Sequence, residues 1–215
     1  SKLASPLVMG DLCVGALAPD GINPGNYHFN ECSKLPSAVL GKSFTTLEKR
    51  AFYRCTSLTN LVLRGAVTKI AENAVRECTA LRHVEPFLPD SLTYLGTDAF
   101  SGCTALESSL SLALENRVTL DGNYHFYNCP SIPSVALGKT WEIPEYCFYN
   151  CTGVRTFFLP EEPIVQLPGS QRRWAFTGWT EYQSRWIMPK GSKVWADFAA
   201  TSTVVTALSP EERTT

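Results

Sequence analysis

Hydrophobic residues recur along the chain with a period of about 24 residues, and each recurrence is centred on a cysteine. The residue three positions before the cysteine is phenylalanine or valine, and the residue three positions after it is leucine, isoleucine or valine. The cysteines that keep this register are Cys32, Cys55, Cys78, Cys103, Cys129 and Cys151. Their spacings of 23, 23, 25, 26 and 22 residues are typical of proteins built from stacked repeats.

A seventh copy has tryptophan in the cysteine position. Ala175, Phe176, Trp179 and Tyr182 fall at the same offsets as the small residue, the phenylalanine, the cysteine and the leucine of the other copies. The sequence therefore predicts about seven units.

Each unit predicts two short strands and one turn. Apolar runs six to eight residues after the cysteine are rich in β-forming residues and bounded by glycine or proline, which is typical of strands. A second apolar residue lies eight positions before the next cysteine, as at Leu47, Ile70, Leu95 and Ile143. The Ala-Phe-x-x-Cys segment leaves room for one irregular turn of helix. Because so small a unit cannot bury its own apolar face, the pattern predicts a parallel-stranded solenoid.

The pattern L-x-x-x-A-F-x-x-C-x-x-L, as found over residues 95–106, resembles the BspA-like branch of the leucine-rich repeats. The resemblance covers about residues 26 to 198. It implies a repeat solenoid of the α/β horseshoe-like class. The expected fold is a leucine-rich-repeat right-handed superhelix, made mainly of short parallel β-strands with little helix. Relatives are secreted or surface-attached proteins, largely of anaerobic bacteria and some protists, and several are implicated in adhesion. The resemblance brings neither an enzyme activity nor a fixed set of binding residues.

Three regions are expected. Residues 1–25 form an N-terminal cap or a degenerate repeat, residues 26–182 form the solenoid, and residues 183–215 form a C-terminal cap and tail. The chain starts at Ser1 without a signal-peptide pattern, so we expect any targeting segment to be absent from it.

Composition excludes several classes of protein. Hydrophobic residues make up 44% and charged residues 18% of the chain, which excludes an intrinsically disordered protein. The net charge of −1 argues against a nucleic-acid partner and against a polybasic membrane-surface module. No run of eighteen apolar residues occurs, so the sequence predicts no transmembrane segment.

The cysteines are interpreted as buried thiols that act as small hydrophobic residues. Their spacing lacks the C-x-x-C clustering of metal sites, so no metal is predicted. Disulfides between stacked units remain an alternative, although the strand spacing of about 4.8 Å leaves the Cβ atoms slightly too far apart. Cys147 and Cys151, four residues apart, are also interpreted as thiols rather than as a pair.

No catalytic residue and no cofactor are predicted. Gly41-Lys42-Ser43 imitates the end of a phosphate loop, but Pro36 stands where the motif needs a glycine. His28 and His125 replace the small residue beside the core phenylalanine, which indicates a structural role. His83 has no nucleophile at a recognisable spacing.

Tryptophan, tyrosine and arginine concentrate near the end of the repeats. Because these residue types dominate protein interfaces and stack on sugars, we expect binding residues at Arg172, Arg173, Trp174, Tyr182 and Arg185. The alternative is that the bulky rings seal the open end of the core. The insertion at residues 160–173 is the expected recognition loop.

The sequence thus predicts a non-catalytic, secreted or cell-surface bacterial module for binding or adhesion. Its expected partner is a protein or a glycan, such as extracellular matrix or another cell surface. The alternative is a structural spacer or stalk within a larger surface protein. A third option, a carbohydrate-processing accessory domain, requires exposed aromatic rings in a row.

Overall fold

The fold is taken from a computed structural model, which describes residues 7–8, 29–42, 44–112, 118–137, 143–158, 175–178, 185–187, 193–198 and 201–206. We number the units 1 to 6 by Cys32, Cys55, Cys78, Cys103, Cys129 and Cys151, and unit 7 by Trp179.

The described residues form strands and turns, with no helix among them. The strands are β1 (Leu7–Val8), β2 (Ser37–Leu40), β3 (Thr46–Leu47), β4 (Asn60–Leu63), β5 (Lys69–Ile70), β6 (His83–Glu85), β7 (Tyr94–Leu95), β8 (Leu110–Leu112), β9 (Thr119–Leu120), β10 (Ser134–Leu137), β11 (Thr156–Phe158), β12 (Arg185–Ile187), β13 (Lys193–Phe198) and β14 (Thr201–Thr206).

Successive units stack their strands in parallel along two faces. The long-strand face consists of the sheets β1-β2-β4-β6 and β8-β10-β11-β12, and the short-strand face is the sheet β3-β5-β7-β9. Leu61 of β4 pairs with Ala38 of β2 and with Val84 of β6. These strands thus pair with the equivalent strands of neighbouring units. The predicted parallel solenoid is confirmed.

Three of the described strands follow the last cysteine-containing unit in the chain. The parallel strand β12 continues the long-strand face to residue 187, and β13 and β14 form an antiparallel pair. The division of the chain at residues 25 and 182 stays a prediction.

The long-strand face is divided between β6 and β8, which belong to separate sheets. The backbone N–H of Val84 donates to Ser108 Oγ at 3.3 Å instead of to a strand carbonyl. Phe87, from the segment that follows β6, packs edge-on against the rings of Phe100 and Phe126, with centroids 5.3 and 6.3 Å away. Unit 3 has 25 residues from its cysteine to the next, against 23 in units 1 and 2. The longer segment places Phe87 against the core.

A third face, the turn face, is formed by the residues from six positions before each cysteine to the cysteine itself. The predicted turn of helix does not form, because left-handed backbone interrupts each turn at two positions. Five positions before the cysteine the φ angle is positive at Arg50, Asn73, Asp98, Tyr124 and Tyr146. One position before it the φ angle is positive at Glu31, Arg54, Glu77, Gly102, Asn128 and Asn150, and at Gly178 in the matching position of unit 7.

Backbone hydrogen bonds on the turn face link each unit to the next. Phe52 N donates to Ala74 O at 2.7 Å, and Phe126 N donates to Cys147 O at 2.9 Å. The same relation holds for Arg54 N and Arg76 O, 2.9 Å apart. Each turn thus satisfies its backbone N–H groups only when its neighbour is folded.

Beneath the turns, buried rings form a ladder through the core. Phe100 and Phe126 stack with centroids 5.6 Å apart and planes 8° from parallel, and Phe126 stacks on Phe148 at 5.6 Å and 4°. The residues three positions after the cysteine, from Leu35 to Val154, are fully buried beside them. Offset stacking adds to the burial of these large apolar surfaces.

The thiols form a second ladder. Cys78 Sγ donates to Phe52 O at 2.9 Å, and Cys129 Sγ donates to Phe100 O at 3.1 Å, each in the preceding unit. No disulfide joins the described cysteines, and all of them but Cys32 are buried. Burial raises the pKa of the Cys103 thiol to about 12. The interpretation as buried thiols is confirmed for the described cysteines other than Cys32, including Cys147 and Cys151.

Thiol labelling tests this ladder. In a Cys13→Ser background we expect a thiol reagent to modify Cys32 quickly in the native protein, because its side chain is only partly buried. The other described thiols react only after unfolding in guanidinium, since they are buried and out of reach of the reagent. Mass spectrometry of the labelled chain gives the sites, and Cys32→Ser removes the fast phase. Fast labelling of several native thiols contradicts the ladder.

Candidate binding surface

The turn face of units 2 to 4 carries charged side chains that pair with one another. Lys49 Nζ lies 2.6 Å from Glu72 Oε2, and Arg54 Nε lies 2.7 Å from Glu77 Oε2, each pair joining two neighbouring units. These pairs are partly to largely exposed, so each contributes little to folding. Their effect is that little uncompensated charge remains on this part of the surface.

Tyr53, two positions before the cysteine of unit 2, is covered by the arginines around it. The guanidinium carbons of Arg50 and Arg54 lie 5.4 and 5.0 Å from the centre of its ring. This is the distance of a cation–π interaction.

In units 5 and 6 the same face becomes aromatic. Tyr124 stacks on Tyr146 with centroids 4.7 Å apart, and Tyr127 stacks on Tyr149 at 4.9 Å. Within each unit the two rings also touch, at 5.6 Å in unit 5 and 5.8 Å in unit 6. We call these four partly exposed residues the tyrosine block.

Amide and carboxylate groups border the tyrosine block. Asn150 Nδ2 donates to Asn128 Oδ1 at 2.7 Å across the two units. Partial burial raises the pKa of Tyr124, with further contributions from Tyr146 and from the negative charge of Glu145. The block is therefore an aromatic surface with a negative charge at its border.

The residues predicted for binding lie mostly outside the described part of the chain. The residues outside the described part are Arg172, Arg173, Trp174 and Tyr182, together with the insertion at residues 160–173. Arg185 is the first residue of β12, where it pairs in register with Thr156 of β11. These site residues stay a prediction.

Sequence reasoning missed the tyrosine block, although a signal was present. Tyr124 and Tyr146 both stand five positions before a cysteine, and Tyr127 and Tyr149 both stand two positions before one. Equal positions in neighbouring units stack directly on each other in a solenoid. By the same count, Trp174 holds in unit 7 the position that Tyr124 and Tyr146 hold in theirs.

His125 is a core residue, as its repeat position indicates. It is fully buried, and its Nε2 lies 3.2 Å from the backbone oxygen of Asp121. Nδ1 has no hydrogen-bond partner among the described residues, so protonation there would bury an unsatisfied N–H. Burial lowers the pKa of His125 to about 4. His83 is exposed in β6, and His28 lies outside the described residues.

The described residues contain neither a cluster suited to a metal ion nor a helix suited to crossing a membrane. No group of three or more His, Cys, Asp or Glu side chains there is placed to hold a metal ion. No helix long and apolar enough to cross a membrane occurs in the same residues.

The chain belongs to the BspA type of leucine-rich repeat proteins. The family model described as "BspA type Leucine rich repeat region (6 copies)" matches residues 22–109 and 84–168. Domains of this type are typically bacterial surface or secreted repeat modules, and leucine-rich repeat proteins are generally non-catalytic. A search of curated proteins found no significant match.

Two solved structures are similar to the chain. A leucine-rich repeat protein of T. pallidum is 24% identical, with a TM-score of 0.55 and coverage of 63% of this chain and 65% of that one. This likeness confirms the fold. A leucine-rich repeat protein of Bacteroides ovatus ATCC 8483 is 19% identical, with a TM-score of 0.28 and coverage of 62% and 57%.

The buried His125 predicts a loss of stability in acid. Its pKa is lower in the folded chain than the value of about 6.5 in the unfolded chain, so only the unfolded chain takes up the proton as pH falls from about 6.5 to about 4. Because of this residue, we expect the unfolding free energy to fall by roughly 2 kcal/mol when the pH is lowered from about 7.5 to about 5.

Denaturant titrations at the two pH values measure this effect. His125→Ala, which restores the small residue common at this position, removes about 2 kcal/mol of the pH dependence, whereas His83→Ala at an exposed position leaves it unchanged. Equal pH dependence in His125→Ala and the parent chain contradicts the prediction.

Proposed function

We propose that the chain is a non-catalytic binding module that recognises a protein or glycan partner in adhesion. The tyrosine block carries this proposal, because it places four aromatic side chains on a turn face whose backbone is held by hydrogen bonds to the next unit. A surface that is ordered before binding loses less conformational entropy on association. Tyrosine is among the residues enriched at binding hot spots.

Family membership supports a role outside the cytoplasm. BspA-type domains are typically surface or secreted repeat modules of bacteria. We accordingly propose extracellular matrix or another cell surface as the place where the partner is found.

The predicted residues near the end of the repeats extend this surface in our proposal. Trp174 has the repeat position of Tyr124 and Tyr146, and Arg172 and Arg173 precede it directly. An aromatic surface with arginines next to it suits a protein or a glycan, since arginine and aromatic rings both bury large areas at interfaces. Tyr182 and Arg185 are proposed binding residues apart from this surface, since Tyr182 has the repeat position of the core leucine and Arg185 begins β12 of the long-strand face.

A spacer or stalk is the second candidate function. The observation that favours it is the turn face of units 2 to 4, where Lys49, Glu72, Arg54 and Glu77 satisfy one another's charges. A surface of this kind offers little to a partner. The two functions are compatible if units 2 to 4 hold the tyrosine block away from a cell.

A binding screen tests the proposed function. The full chain is presented to purified extracellular-matrix proteins and to a glycan array, beside Trp174→Ala, an Arg172→Ala/Arg173→Ala variant and the control Arg82→Ala on the long-strand face. We expect a saturable ligand whose affinity falls about tenfold or more in the first two variants, as at interface hot spots, and not in the control. A screen without any ligand contradicts adhesion and favours the spacer.

Deletion of residues 161–173 tests the recognition loop separately. Because insertions between repeats are tolerated at the surface, we expect the deletion to leave the thermal unfolding midpoint nearly unchanged and to abolish binding of the ligand found in the screen. Replacement by a Gly-Ser linker of equal length is the control for chain connectivity. Unchanged affinity in both variants excludes the insertion as the recognition loop.

A further inference from the structure

In the described part of the chain, two tyrosines are covered by cations of the same chain. Arg50 and Arg54 lie over the ring of Tyr53 at 5.4 and 5.0 Å, and Lys69 Nζ lies 4.8 Å from the ring centre of Tyr94. The negative face of an aromatic ring attracts such a charge. Tyr53 has the same repeat position as Tyr127 and Tyr149, two residues before the cysteine.

Units 5 and 6 lack the arginines that cover Tyr53. Where unit 2 has Arg50, they have Tyr124 and Tyr146, and where it has Arg54, they have Asn128 and Asn150. The two asparagines bond to each other at 2.7 Å. Among the described residues, no lysine or arginine lies over the ring of Tyr127 or Tyr149.

The charges beside the tyrosine block favour a cation. The negative charge of Glu145 raises the pKa values of both Tyr124 and Tyr146, and that of Asp98 also raises the pKa of Tyr124. Arg76 lies 3.5 Å from Asp98 and offsets that carboxylate, whereas no ion pair is recorded for Glu145 among the described residues. An anionic partner would meet repulsion here.

We propose that the tyrosine block binds an arginine-bearing segment of a partner protein, whose guanidinium groups make with the exposed parts of Tyr127 and Tyr149 the kind of cation–π contact that Arg50 and Arg54 make with Tyr53. This inference rests on the proposed binding function and states the chemistry of its partner. Arginine fits better than lysine, because its planar group stacks on an aromatic ring while its N–H groups bond to a carboxylate such as that of Glu145. A neutral sugar fits less well, because it gains nothing from the negative charge of Glu145.

Isothermal titration of the full chain with synthetic peptides tests the inference. The probe is a peptide of four Arg-Gly-Ser repeats at an ionic strength of about 0.15 M, where long-range attraction is screened. Two matched peptides carry lysine or uncharged citrulline in place of arginine. We expect saturable binding of the arginine peptide, weaker binding of the lysine peptide, and none of the citrulline peptide.

Matched variants locate the binding site. Tyr127→Ala/Tyr149→Ala lowers the affinity for the arginine peptide about tenfold, the effect of losing two cation–π contacts. Tyr53→Ala, which alters the same repeat position in unit 2, leaves the affinity unchanged. Tyr127→Phe/Tyr149→Phe keeps most of the affinity because the rings remain. Thermal unfolding of each variant shows that the solenoid is intact.

Three results would overturn the inference: no binding of the arginine peptide, equal binding of the citrulline peptide, or an affinity that is the same in the folded Tyr127→Ala/Tyr149→Ala variant. The outcome is separable from that of the proposed function. A chain that binds a matrix protein or a glycan in the screen but not the arginine peptide overturns this inference alone. A chain that binds neither contradicts both.

Discussion

The structure depends on the fact that no unit can satisfy its own backbone or bury its own apolar face. The turn of one unit donates its N–H groups to carbonyls of the next, as Phe126 N does to Cys147 O, and the rings of Phe126 and Phe148 stack across the same boundary. Opening one unit therefore leaves unpaired backbone groups and exposed rings on both neighbours, which makes folding cooperative along the array.

The same constraint separates the buried positions from the variable ones. Residues at the cysteine and three positions to either side of it fill the core, so their chemistry changes little from unit to unit. Residues six, five, two and one positions before the cysteine lie on the turn face. They carry ion pairs in units 2 to 4 and the tyrosine block in units 5 and 6. Function on this scaffold depends on these outer positions.

The periodic sequence predicts the solenoid, its parallel strands and its buried thiols, because periodic burial depends on residue type alone. The left-handed backbone at Arg50 and Tyr124 was not predicted, since neither residue is the glycine that usually marks it. The break between β6 and β8 depends on how Phe87 packs in space. The tyrosine block depends on which repeat positions point outward together. A single unit does not reveal these positions, so neighbouring units must be compared. The residues predicted near the end of the repeats remain to be tested.

The left-handed positions also determine how such a surface can evolve. Among the described non-glycine residues with positive φ, none is valine, isoleucine or threonine, the β-branched types for which this conformation is most costly. Arginine, asparagine, aspartate and tyrosine all occur five positions before the cysteine on the same backbone geometry. Point mutations at these sites can exchange charge for aromatic surface without moving the main chain. A lineage can thus acquire a new ligand one unit at a time while the core and the fold stay constant.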